Sequence, residues 1–116
     1  MAKEKSPAFQ FYPKDFLTDG NVASMSLQER GAYVTLICLC WQETTLPNDP
    51  TRLARMVGAP LPAFQKMWPA LKQCFREIDG QLVHPRLEQE RDKQRSRREQ
   101  ASKNGSKGAA HRWASG

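Results

Sequence analysis

The side chains suited to covalent, acid–base or metal chemistry are His84, His111, Cys38, Cys40, Cys74 and a few carboxylates, and their spacing assembles none of it. The two histidines stand far apart in the chain. Cys38 and Cys40 are two residues apart, so on a helix they point away from each other and cannot share a metal ion. Asp49 precedes a proline in the pattern of a helix cap, which accounts for its carboxylate without catalysis. His84 sits beside Pro85 at the end of an expected strand, where a surface or packing role suffices. Gly105 and Gly108 flank Lys107, but no strand precedes them and no phosphate-cradling loop can be drawn. With no nucleophile–base pair available, the sequence reads as non-enzymatic, with no metal, cofactor or small-molecule substrate.

Binding chemistry is better represented. Residues 1–85 carry nine Lys/Arg against eight Asp/Glu and nearly all the large apolar side chains. Residues 86–116 carry nine Lys/Arg against four Asp/Glu, with Leu87 and Trp113 as their only large apolar residues. A near-neutral part that can bury a core is thus followed by a basic part that cannot, a pattern pointing to a polyanionic partner. In the arm, Arg91, Lys93, Arg95, Arg97, Arg98, Lys103, Lys107 and Arg112 are candidate phosphate contacts. Within the domain, Arg52 and Arg55 fall on the outer face of one expected helix, and Gln65, Lys66, Lys72 and Gln73 on that of the next. Arginines there would meet phosphates, while the Gln and Lys side chains could reach base edges. Duplex DNA is the leading partner, with single strands as an alternative. The bland readings are a solvated connector for the arm and an ordinary solvated face for the helix. Glu77 and Asp79 would be repelled by phosphate, so their turn is not expected to grip DNA.

The elements that must position these residues follow from local signals. Phe9-Gln10-Phe11-Tyr12 alternates like a short strand or extended anchor, and Pro13–Leu17 suits one helical turn with Phe16 and Leu17 facing inward. Asp19-Gly20-Asn21 is expected to break the chain. Ser26-Leu27-Gln28-Glu29 is a capping box, opening a helix over about 27–43. Leu27, Gly31, Val34, Cys38 and Trp41 form its stripe, widened by Tyr33, Leu36, Ile37 and Cys40 until the helix is apolar almost all round and expected at the domain centre. Thr44–Leu46 suits a bridging strand. Asp49-Pro50 opens a second helix that Gly58 ends, with Leu53, Ala54 and Val57 inward. Leu61, Phe64, Trp68, Leu71 and Phe75 mark a third helix, which Pro69 should kink or split. Asp79-Gly80 suits the type I′ turn of a hairpin. Beyond Leu87 an exposed charged helix is feasible, through Glu88/Arg91, Glu90/Lys93 and Asp92/Arg95 pairs, followed by a flexible 102–108.

This order, helix, strand, helix, turn, helix, hairpin, is that of a winged helix-turn-helix, a mainly α (α+β) fold with a basic C-terminal helical arm. The expected division is a domain over 1–86 and an arm over 87–116, the arm being dispensable for folding. The odd cysteine count within apolar runs suits buried thiols in a reducing compartment. No apolar run approaches the ~20 residues of a membrane span, and the first residues lack a signal peptide's hydrophobic segment. The expected location is the cytoplasm of a bacterial host.

Pro7–Leu17, Leu27–Tyr33, Cys40-Trp41, Leu46-Pro47, Trp68–Leu71 and Gly80–Leu87 together resemble a YdaU-type domain, an uncharacterised domain of phage and prophage proteins. The resemblance covers nearly the whole chain. It implies a phage or prophage setting near helicase-loading functions, and a role like that of replisome organisers, whose winged helices bind origin DNA. The expected function is therefore a replication-initiation accessory. The alternatives are a phage transcriptional regulator on the same fold and an adaptor docking a helicase or helicase loader. No contact residues carry over from the family.

The capping box gives the most local test. Ser26→Ala should lower stability by about 0.5–2 kcal/mol in denaturant unfolding, with DNA affinity unchanged; an unaltered midpoint would place the helix start elsewhere.

Overall fold

Capping and turn signals set the element boundaries. The computed structural model describes residues 7–115, with side chains described as far as residue 102. The chain is mainly helical with one small antiparallel sheet, in the order α1 Pro13–Thr18, α2 Gly20–Ala23, α3 Leu27–Glu43, β1 Leu46–Pro47, α4 Pro50–Val57, α5 Leu61–Lys72, β2 Arg76–Ile78, β3 Gln81–Val83 and α6 Pro85–Ser115. Ser26 Oγ accepts from the Glu29 amide and Glu29 Oε1 accepts from the Ser26 amide, at 3.1 and 2.8 Å, completing the capping box of α3. Asp49 Oδ1 accepts from the Thr51 amide, and Gly58 closes α4 at φ 80°. Asp79 and Gly80, at φ 52° and 76°, both take the left-handed conformation that a type I′ turn requires.

The sheet has the order β1-β3-β2, with Leu46 opposite Leu82 and Glu77 opposite Leu82 from the other side. Strand β1 is therefore stitched to the hairpin's second strand. Leu46, Leu82, Leu53, Phe64 and Leu71 are essentially inaccessible and join the inner face of α3 in one core. Each fully buried aliphatic or aromatic side chain contributes about 1.5–3 kcal/mol of transfer free energy.

Several expectations need correction. The buried face of α3 is Tyr33, Leu36, Ile37, Cys40 and Trp41, whereas Leu27, Gly31, Val34 and Cys38 face outward, Leu27 at 85% exposure. The helix is therefore covered along one face rather than surrounded at the domain centre. Cys38 is exposed and Cys74 only half-buried, so Cys40 alone is a buried thiol. Phe16 packs inward on Tyr33, but its neighbour Leu17 is 63% exposed, because one turn cannot turn adjacent side chains to the same face. Residues 9–12 form no strand; Phe9 instead rests on the Trp41 ring, with centroids 5.3 Å apart. The expected break falls at Asp19 alone, which ends α1 in an extended conformation and caps α2 by accepting from the amides of Asn21 and Val22, so Gly20 and Asn21 are already helical. Helix α5 passes through Pro69 without splitting. The carbonyl that loses its amide partner there belongs to exposed Gln65, where water can serve it. Residues 102–108, read as flexible, lie within the backbone helix of α6.

The largest departure concerns the start of α6. The expected boundary at 86/87 falls inside it, and its first turns are bound to the core. Leu87 is 3% and Glu90 5% exposed. Arg91, expected on an exposed face, reaches the C-terminal end of α3: Nη2 donates to the carbonyls of Cys40 (2.9 Å) and Trp41 (2.7 Å), and Nη1 to that of Thr44 (3.4 Å). Its guanidinium also lies 4.8 Å over the Trp41 ring and pairs with Glu88. Gln94 Nε2 donates to the Ala8 carbonyl at 3.1 Å, tying the N-terminal segment to the same helix. With nucleation met by this packing, each further residue of α6 adds a hydrogen bond without that initial cost.

Two truncations should therefore behave differently. Ending the chain after Ser102 should preserve cooperative unfolding, whereas ending it after Leu87 should abolish it. Arg91→Ala in the full chain should cost about 2–3 kcal/mol, the scale of a charge-assisted hydrogen-bond set. A cooperative transition of unchanged midpoint in the 1–87 chain would refute this docking of α6.

Candidate nucleic-acid interface

Helices α4 and α5 pack against each other and against α3, leaving their outer faces to solvent. Between Asp49 and Glu77 the sequence holds five Lys/Arg and no Asp/Glu. All five, Arg52, Arg55, Lys66, Lys72 and Arg76, are exposed, as are Gln65 and Gln73. The cause lies in the periodicity: Leu53 and Ala54 take the inner face of α4, Phe64 and Leu71 that of α5, and the polar side chains fall between them. The acid-free composition of this stretch was open to sequence inspection and strengthens the candidate face. At the hairpin, Glu77 Oε2 accepts from Asn48 Nδ2 at 2.9 Å, which engages one of the two acidic groups near the turn.

The arm residues divide. Arg91 is committed to the α3 carbonyls with a side chain only 15% exposed, so it cannot serve as a phosphate contact; that expectation is withdrawn. Arg95 pairs with Asp92 at 3.5 Å and Arg97 with Glu90 at 3.8 Å, both arginines being more than half exposed. Glu90 therefore engages Arg97 and Gln94 rather than the expected Lys93. Lys93 and Arg98 are exposed. Lys103, Lys107 and Arg112 lie outside the residues whose side chains are described. Exposed ion pairs are worth at most about 1 kcal/mol, so Arg95 can exchange Asp92 for a phosphate at little cost, whereas Arg97 holds the buried carboxylate of Glu90.

Sequence reasoning missed a second feature. A cavity of about 370 Å³ opens between the segment around residues 9–19, α3 and the first turns of α6. Aromatic rings from Phe9, Phe11, Tyr12, Phe16 and Tyr33 line it, with Arg86 and Lys93 from α6. Its residues come from three distant stretches, and only the Phe/Tyr density of residues 9–16 hinted at it.

His84 closes the floor of this cavity. Its Nδ1 accepts from the Leu87 amide at 3.3 Å, capping α6, so the neutral ring carries its proton on Nε2 and donates to Tyr33 Oη at 2.8 Å. Burial, and secondarily Arg86, lower its pKa to about 4. A cation there would also face the positive end of α6. Burial pushes the Tyr33 hydroxyl well above its ordinary range, helped by Cys74 and Asp19. Burial likewise raises the Cys40 and Cys74 thiols. These groups form a structural network rather than an acid–base pair.

Comparison with known proteins gives one family and one curated relative. A family described as a protein of unknown function, DUF1376, matches residues 7–92. The uncharacterized protein YdaU of Escherichia coli strain K12 is 31% identical over 84 residues, which is 72% of this chain and 28% of that protein. The chain thus spans less than a third of the length of that relative. No solved structure matches. Among the described residues, no helix is long and apolar enough to cross a membrane.

The histidine network yields a pH prediction. An unfolded-state pKa near 6.5 against about 4 in the fold means that the unfolded chain binds the extra proton in that window. Stability should be level above pH 6.5 and fall by roughly 3 kcal/mol between pH 6.5 and 4 on this account. His84→Asn, which keeps a capping acceptor, should flatten that slope in denaturant titrations. Parallel slopes for the two proteins would show that His84 is not held neutral.

Proposed function

This chain belongs to the DUF1376 family, and we propose that it is a non-enzymatic DNA-binding domain with a winged helix-turn-helix architecture. The observation that carries the reading is the carboxylate-free outer surface of α4 and α5, with Arg52, Arg55, Lys66 and Lys72 all exposed on two helices joined by a tight turn. The order α3-β1-α4-α5-β2-β3, with β1 paired to β3, supports the winged-helix assignment. Arg52 and Arg55 take phosphates; Gln65, Lys66 and Gln73 are placed for base edges, with Lys72 beside them. Lys93, Arg95, Arg97 and Arg98 extend a sequence-independent electrostatic contact along α6, which Lys103, Lys107 and Arg112 continue in sequence. The resemblance to YdaU-type domains supports a phage or prophage replication-initiation accessory within the bacterial cytoplasm.

A second reading, an adaptor that docks a helicase or its loader, is favoured by the outer face of α3. Leu27, Val34 and Cys38 are exposed there with Gln28, Thr35 and Gln42, and no charge interrupts them. A transcriptional regulator would use the same α4–α5 surface and differ in its DNA site.

Duplex binding at several salt concentrations tests the proposal. Arg52→Ala/Arg55→Ala should weaken binding to all duplexes alike and reduce the log–log salt slope by about 1.8, about 0.9 per lost phosphate contact. Gln65→Ala/Lys66→Ala/Gln73→Ala should instead reduce preference for a selected site over random duplex. Wild-type affinity and discrimination in both variants would overturn the DNA-binding reading in favour of the adaptor.

A further inference from the structure

The cavity between the N-terminal segment and α6 has a lining that fits one chemical class. We propose that it is a stacking site for an unpaired base of single-stranded nucleic acid, an extension that rests on the DNA-binding reading above. Phe11 and Tyr12, 49% and 43% exposed, are among its lining rings. Phe11 lies 5.3 Å from Phe16 at a tilt of 50°, and Phe16 stacks on Tyr33 at 6.2 Å and 13°, so Phe11 is backed by two further rings. Exposed aromatic rings backed by buried ones form the platform on which single strands stack, because every base offers a π-face. A volume of about 370 Å³ accommodates a base.

The lining carries Arg86 and Lys93 against Asp15, Asp19 and Glu90. Its three carboxylates are already engaged: Asp15 pairs with Arg86 at 3.4 Å, Asp19 accepts from the amides of Asn21 and Val22, and Glu90 is held by Gln94 and Arg97. Lys93 is exposed beside the cavity, while Arg86 is paired with Asp15. A backbone phosphate flanking the stacked base therefore meets Lys93. From there α6 continues with the exposed cations Arg95, Arg97 and Arg98. A duplex cannot use this site, since its base faces are already stacked, so the cavity distinguishes single strands from the duplex proposed for α4 and α5.

Fluorescence anisotropy with a labelled 15-nucleotide oligothymidine and a labelled 15-base-pair duplex, run in parallel, tests this on the full chain. Phe11→Ala and Tyr12→Ala should each weaken oligothymidine binding about tenfold and leave duplex affinity and melting temperature unchanged. Phe11→Trp, which preserves a ring face, should retain binding, and Phe11→Leu, which preserves only apolar bulk, should not. Unchanged oligothymidine affinity in Phe11→Ala and Tyr12→Ala, or equal affinity in Phe11→Leu and Phe11→Trp, would overturn the stacking site; an apolar protein segment would then be the better occupant. Duplex binding without oligothymidine binding would remove the stacking site and leave the duplex reading intact. Loss of both would remove the two together.

Discussion

The end of α3 is the point on which the rest of the molecule depends. Helix α3 must stop abruptly so that β1 can turn back into the sheet, and it does so at Thr44 with φ 77°, a conformation that disfavours a β-branched residue. Three carbonyls at that end, those of Cys40, Trp41 and Thr44, lie where a helix runs out of amide donors. One guanidinium answers all three while its face covers the Trp41 ring. The strained turn, the entry into β1 and the docking of α6 are thus a single arrangement. Removing Arg91 leaves the carbonyls, the turn and the ring each without their shared partner.

That arrangement also decides where the two candidate surfaces can sit. Because Arg91 and Leu87 fix the first turns of α6 to the core, the cations that follow project from a defined origin. The aromatic segment of residues 9–16 is held against the same turns through Gln94 and through Phe9 on Trp41. The surface of α4 and α5 is set from the other side of the core by Leu53, Phe64 and Leu71. Two candidate surfaces of different chemistry, one cationic with amide side chains and one aromatic, are consequently carried by one small core.

Much of the fold was legible because its signals are local. The capping box at Ser26, the Asp49-Pro50 start and Gly58 stop of α4, and the Asp79-Gly80 turn each need only neighbouring residues to act, and each appears where the sequence places it. The orientation of α3 was not legible. Leu27, Gly31, Val34 and Cys38 keep helical rhythm as well as Tyr33, Leu36, Ile37 and Cys40, and only the presence of α5, α6 and the sheet on one side selects between them. Arg91 was misplaced for a related reason. In a run of alternating charges its pairing with Glu88 is visible, but three carbonyls some 50 residues earlier are not. The aromatic cavity is assembled from residues 9–37 and 84–93, so no window of sequence contains it.

The hydrogen bond between Gln94 and Ala8 spans 86 residues. On a ribosome adding about 5–20 residues per second, roughly 4–17 s separate the synthesis of those two partners. For that interval Phe9 and Trp41 have each other but not the helix that seals them, and the α3 carbonyls lack the Arg91 guanidinium. The nascent domain therefore passes through a stage with its aromatic side open, and it closes only when the charged C-terminal helix emerges. A helix that reads in sequence as an appendage is, in the order of synthesis, the final piece that completes the core.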